Sequence, residues 1–247
     1  MAARARGALK ATGDYVIFCD ADDTLETKNI VDFLEIAYAG NYDIIVGCSH
    51  DYSENEEINF IQYNKISGSV SVKTFVENIL KGKIIFGPAC KLFRRNIITE
   101  QCFDLPADIV FNEDLFMNIA IAENAEKIFI IRDLVVYNHL TDNPDSVTHT
   151  RKQTEKQWLR LFKIIEEKVR PIPEFDINSL AIFICDRLRS NFYNHGKRFH
   201  YCYDVLAILN SADKSRLSLR EISTMKMLRY PVLIKIYYLL FRIRKLI

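Results

Sequence analysis

The sequence predicts an α/β first part followed by an α-helical C-terminal region, and three features predict it. An apolar run, Tyr15-Val-Ile-Phe-Cys19, breaks abruptly into Asp20-Ala-Asp22-Asp23. A second such run, Asp43-Ile-Ile-Val-Gly-Cys48, follows a segment with helical periodicity. After Lys152 the apolar spacing is almost wholly helical. Apolar runs without polar interruption read as strands buried on both faces. Open α/β sheets place their ligands at the carboxyl ends of such strands. Tyr15–Asp20 therefore reads as a central strand tipped with acids. The change of pattern sets a boundary near residue 151, with one domain over 1–151 and a helical region over 152–247.

The elements follow in order. Ala3 to Thr12 has helical spacing and ends at Gly13, a common C-terminal stop. After the first strand, a helix from about Lys28 to Ala39 ends at Gly40-Asn41. Tyr52 to Val70 alternates acidic, aromatic and Gly/Ser residues, which reads as one or two exposed strands joined by turns. Ser71 to Lys81 carries an N-cap serine and apolar residues at helical spacing. Gly87-Pro-Ala-Cys-Lys91-Leu-Phe-Arg-Arg95 reads as a turn feeding a short strand, and Phe111-Asn-Glu113-Asp114 opens a helix to about Asn124. Two short strands, Lys127–Arg132 and Leu134–His139, then lead into a polar loop from Thr141 to Thr150. The helical region is broken at Pro171-Ile-Pro173, near Gly196 and near Pro231. Its aromatic-rich stretch from Phe183 to Tyr203 reads as helix packing.

Composition narrows the function classes. With 247 residues, 49% hydrophobic and 26% charged, the chain is of ordinary globular make-up. A net charge of +1 offers no bulk attraction to nucleic acid. The six cysteines show no CxxC spacing and sit mostly in apolar runs, which fits a reducing compartment. Arg4, Arg6 and Lys10 precede no apolar core of a signal peptide, and no apolar stretch reaches the length of a spanning helix. The expected location is cytoplasmic, extending to the inner face of the plasma membrane. Tyr230 to Ile247 interleaves aromatics and aliphatics with basic residues. Two readings of it stand open: an interfacial helix on an anionic leaflet, or a terminal helix packed on the tail or on a second copy in a homo-oligomer.

The acidic cluster carries the chemistry. Asp20 and Asp22 lie two apart, so on an extended backbone their side chains point the same way. Two converging carboxylates repel unless a cation sits between them. A hard divalent ion, Mg²⁺ or Mn²⁺, suits such ligands and usually carries substrate phosphates. The competing reading is a solvated acidic turn capping the next helix. Histidines His50, His139, His195 and His200 are scattered without metal-ligand spacing, so they read as structural.

Two families could claim Asp20-Ala-Asp22-Asp23-Thr24-Leu25. It resembles the first motif of haloacid-dehalogenase-like phosphatases, in which Asp20 would be the nucleophile and Asp22 the general acid. Asp23 departs from the Gly usual there, and a late acidic pair after a strand is not evident. The family 2 glycosyltransferases, of GT-A fold, share more. Ala3-Arg4-Ala5-Arg6-Gly7 leading to Gly13-Asp14-Tyr15 resembles their Ala-Arg-Asn-x-Gly helix, with Ala5 in place of Asn. Gly87 to Arg95 resembles their Gly-x-x-x-Lys-Leu-Phe-Arg segment, and Glu113-Asp114 their Glu-Asp motif at a helix start. Tyr137 and Ser146-Val-Thr-His149 are similar to their closing loop. Each motif is weak alone; five in the right order, spanning about residues 3 to 150, make a strong signal.

That resemblance implies an inverting transferase in cell-surface polysaccharide synthesis. It would use a nucleotide-diphosphate sugar donor and a glycan or lipid-linked acceptor. Asp22, with Asp20 toward ribose or metal, would bind the ion. Asp114 would be the base and Glu113 its orienting neighbour, although both acids also suit a helix N-terminus. Arg4, Lys91, His149 and Arg151 become diphosphate contacts. The resemblance starts in the middle of the family's domain, about eighty residues in. The chain is therefore expected to be an incomplete GT-A mixed sheet followed by helices. A non-catalytic truncated remnant that pairs with another chain is the remaining alternative.

Overall fold

The structure is a computed structural model, and it describes residues 1–53, 58–141, 153–195 and 203–230. The chain divides into two compact units. The first comprises Met1–Gln153 and Lys168–Pro173; the second comprises Thr154–Glu167 and the residues from Glu174 onward.

The first unit is a mixed sheet with helices. Helix α1 (Ala2–Lys10) leads to β1 (Tyr15–Ile17) and β2 (Thr24–Leu25). Helix α2 (Thr27–Gly40) ends on Asn41 in the left-handed conformation (φ 51°), a C-terminal cap that asparagine tolerates. Strands β3 (Ile44–Tyr52), β4 (Asn59–Gln62) and β5 (Gly68–Val70) precede α3 (Val72–Leu80). The Ser71 hydroxyl caps α3 by accepting from Thr74 N at 3.1 Å. Strand β6 (Lys91–Arg94), helix α4 (Glu113–Ala122) and strand β7 (Ile128–Leu140) complete the unit. The strand order is β1-β6-β3-β7-β2, with β4 also on β3 and β5 also on β7. Only β3 and β7 run parallel; the other pairs are antiparallel.

The doubly buried central strand is β3, whose first six residues are all buried. The expectation for Tyr15–Asp20 is corrected here. Its strand is three residues long, ends the strand order, and leaves Tyr15 and Ile17 partly exposed. The reason lies in Tyr15: its hydroxyl donates to Tyr42 O at 2.7 Å and accepts from Arg94 Nη2 at 2.7 Å, tying it to the sheet margin. Phe18 leaves the ladder but stays in the core, edge-on to Phe93. Phe33 and Ala37 of α2 pack with Ile45, Leu92, Val136 and Tyr137.

A second correction concerns Lys127–Arg132 and Leu134–His139. They form one strand, β7, interrupted by a bulge where the register on β3 jumps from Val46↔Ile130 to Cys48↔Val135. Gly47 sits opposite the bulge, and a Cβ there would lie 2.8 Å from Val136 Cγ2. Buried Asn64 closes the bulge by donating to Gly47 O and Ile131 O, each at 2.9 Å, while its Oδ1 accepts from Ile85 N at 3.1 Å.

The C-terminal region is helical among its described residues: α5 (Glu155–Val169), α6 (Ile177–His195), α7 (Tyr203–Asn210) and α8 (Leu219–Arg229). The break expected at Pro171-Ile172-Pro173 separates α5 from α6. Within the second unit, Phe162 meets Phe183 edge-on at 6.0 Å, and Asn178 exchanges two hydrogen bonds with the Asp213 backbone. Among the described residues no helix is long and apolar enough to cross a membrane. The readings of Gly196, of the 142–152 loop and of 231–247 lie outside the described residues.

Candidate active site

The site begins where β1 ends. The chain turns at once, with Asp23 N donating to Asp20 O at 3.2 Å. The Asp23 carboxylate accepts from Tyr137 Oη at 2.6 Å and from Leu140 N at 2.9 Å, so it fastens the turn to β7. Tyr137 Oη in turn accepts from Asp20 N at 3.0 Å. Burial, followed by the bond to Asp23, pushes the Tyr137 phenol well above its ordinary value, so it stays a neutral donor. The third acid of the cluster is thereby a structural anchor. Asp20 and Asp22 remain exposed on the turn.

Arg4 of α1 gathers the other acids. Its Nη2 donates to both Asp20 oxygens, at 2.8 and 3.0 Å, and its Nη1 to Asp114 Oδ1 at 2.6 Å. Glu113 Oε1 lies 4.0 Å from the same Nη1. Burial opposes the Arg4 charge, but Asp114, Asp20 and Glu113 outweigh it and raise its pKa. One guanidinium thus joins the acidic turn after β1 to the first residues of α4, 110 positions apart for Arg4 and Asp114.

Glu113 and Asp114 occupy the first turn of α4, where the helix dipole favours negative charge. Every residue from Leu115 to Ala122 is buried, so the helix is fixed in the core with its N-terminal acids at Arg4. Asn118 donates to Asp114 O at 2.8 Å. Burial raises the Asp114 pKa, Asp20 adds to that, and Arg4 works against it. Burial and Asp114 likewise raise Glu113. A carboxylate made more basic by its surroundings is suited to taking a proton.

Lys91 stands elsewhere than its expected role requires. It is fully buried, and its ammonium donates to Ile85 O at 2.7 Å and to Gly87 O. Burial lowers its pKa. In this fold its ammonium braces the turn before β6. His149 and Arg151 lie outside the described residues. Sequence reading also gave His139 a structural role, yet it borders the acidic turn. The sign that could have revealed this is its two-residue spacing from Tyr137, which puts both side chains on one face of β7.

Among the described residues no group of three or more His, Cys, Asp or Glu is arranged to hold a metal. The donors present fit a hard ion that takes one or two carboxylates and completes its shell with substrate phosphates and water. Asp20, Glu113 and Asp114 converge on Arg4, three carboxylates at one guanidinium.

The acid-bearing turn after β1 and the acidic start of α4 thus meet at one guanidinium beside a mixed sheet. Residues 1–101 match the family model for Glycosyl transferase family 2. The phosphatase alternative falls with this match and with the position of β1, which ends the strand order beside an antiparallel neighbour. No curated protein matches the chain. Among solved structures, S. aureus TarS 1–349 in complex with UDP-GlcNAc aligns at TM-score 0.60 and 14% identity, covering 95% of this chain and 68% of that one. The same protein segment in complex with UDP aligns at TM-score 0.53 and 16% identity, covering 77% of this chain and 50% of that one. S. aureus TarS itself aligns at TM-score 0.58 and 15% identity, and this chain spans 40% of it. At these identities the likeness establishes the fold, which is GT-A.

Proposed function

We propose that the protein transfers a sugar from a nucleotide-diphosphate donor to a glycan or lipid-linked acceptor, with inversion, in synthesis of bacterial surface polysaccharide. The observation that carries this reading is the Arg4 bridge between Asp20 and Asp114. It joins the acidic turn to the first residues of α4, in a chain whose first 101 residues match a glycosyl transferase model, and this supports the reading. The UDP-GlcNAc and UDP complexes of the TarS structures support a uridine nucleotide as the first donor to try.

Asp22, with Asp20, would hold Mg²⁺ or Mn²⁺, which supplies neutralisation of the diphosphate charge. Asp114 takes the proton of the acceptor hydroxyl as that oxygen bonds to the anomeric carbon. The bond from that carbon to the diphosphate breaks, and its electron pair leaves on the phosphate oxygen. Attack from the side opposite the leaving group inverts the centre. Glu113 orients the acceptor, and Arg4 and His149 contact the diphosphate. The domain limits 1–151 and 152–247, a location at the inner membrane face and membrane contact through 230–247 belong to the same proposal.

The test uses purified protein, a panel of nucleotide sugars and Mn²⁺. Asp114→Asn should lower transfer by about three orders of magnitude or more, as expected when a general base is lost within an assembled site. It should leave nucleoside diphosphate binding intact. Retained turnover would refute the base assignment, and absence of any nucleoside diphosphate binding would refute the function.

A further inference from the structure

Strand β7 carries a second polar constellation. Register pairs Asp51 of β3 with His139 of β7, so both side chains share a face. Tyr137 lies on that face too, and its hydroxyl holds the acidic turn. Asp51 is 5% exposed, yet it is well supplied with donors: Ser49 Oγ at 3.0 Å, Gln62 Nε2, and His139 Nδ1 at 3.4 Å. His139 itself is about half exposed, at 48% for its side chain.

A buried, fully engaged carboxylate behind an exposed imidazole is an arrangement that orients a ring. With Nδ1 turned to Asp51, Nε2 is the nitrogen left for a ligand. The neighbours of His139 fix where that nitrogen works. Leu140 N, one residue on, donates to Asp23, and Tyr137, two residues back, donates to the same carboxylate. Asp23 and Asp22 both act electrostatically on the imidazole, as does Asp51. His139 thus stands beside the turn on which the proposed donor-side acids lie. A hydrogen-bond donor at that point meets any anion that a metal at Asp22 would bring there.

We propose that His139, oriented by Asp51, donates a hydrogen bond from Nε2 to the diphosphate of the sugar donor and to the same group as it departs. Asp51 is a positioning residue, acting only through the ring. The inference rests on the function proposed above. His139 keeps its protons throughout; the electron pair released at the anomeric bond stays on the phosphate oxygen that His139 bonds.

The experiment measures binding of UDP, GDP and dTDP, and of the matching monophosphates, by calorimetry, with EDTA and separately with Mn²⁺. His139→Gln should weaken the diphosphate by about tenfold with Mn²⁺ present, the scale of a lost hydrogen bond to a charged group. The monophosphate should change little. His139→Arg should restore most of the affinity, because a guanidinium can donate but cannot ligate a metal. Asp51→Asn should weaken diphosphate binding in the same direction with no effect on Mn²⁺ alone. His50→Gln, on the opposite face of β3, should leave all of these unchanged. Equal diphosphate affinity in a folded His139→Gln variant overturns the proposal. So does loss of Mn²⁺ binding in the absence of nucleotide, which would make His139 a metal ligand. Should the parent protein bind no nucleoside diphosphate, the proposed function itself fails; binding that ignores His139 removes this inference alone.

Discussion

At the residue scale, Asp114 is caught between two opposing influences. Burial makes its carboxylate more basic, and Arg4 at 2.6 Å makes it less so. Burial dominates, so its pKa lies above the ordinary aspartate value of about 3.9. A base works only when deprotonated. Activity should therefore be present above the raised pKa and fall as pH drops through it. The acid limb of the kcat/KM profile should sit above the usual aspartate range. Arg4→Gln removes the influence that favours the charged form, so that limb should move to higher pH; a shift to lower pH contradicts the assignment. Asp20 and Asp22 stand out in the sequence because they interrupt an apolar run, whereas Glu113 and Asp114 stand out only through the family resemblance. Lys91 was not legible, because a lysine next to a strand reads as a surface cation. Only the fold shows that two backbone carbonyls claim its ammonium.

At the element scale, Gly47 and the β7 bulge form one device. The bulge inserts extra residues between Ile130 and Val135, and it fits only because β3 has no side chain at position 47. Gly47→Ala would put a methyl 2.8 Å from Val136 Cγ2 and 3.0 Å from Leu134 O, against a backbone atom that cannot yield easily. We expect a loss of about 1 to 3 kcal/mol, typical of overpacking, read as a lowered urea midpoint with an unchanged slope. Local signals did predict local structure here. Ser71 capped its helix, and Asn41 and Pro171 to Pro173 ended theirs. Pairing was less legible, since the apolar run at Tyr15 resembles the one at Ile44. The two differ in how many neighbours each strand has, a property of distant segments that no window of sequence contains.

At the scale of the whole molecule, the first unit is not one continuous stretch. Lys168–Pro173 belongs with it although the chain has by then entered the helical region. Lys168 donates to Glu123 at 2.9 Å and lies over the Phe116 ring at 5.8 Å. A boundary drawn from composition near residue 151 passes before this return. A chain ending at Pro173 should accordingly melt at a higher temperature than one ending at Gln153. Equal melting temperatures would show that the returning segment contributes nothing to the first unit.

The Arg4 guanidinium also sets a timetable. While it clasps both carboxylates, an alcohol arriving first meets the proposed base, Asp114, already engaged. A diphosphate arriving first offers the guanidinium a stronger counter-ion and frees Asp114 for the alcohol. Initial-rate kinetics should show compulsory sequence, donor before acceptor, and Arg4→Gln should make the sequence random; randomness in the parent enzyme would mean the clasp loosens without help.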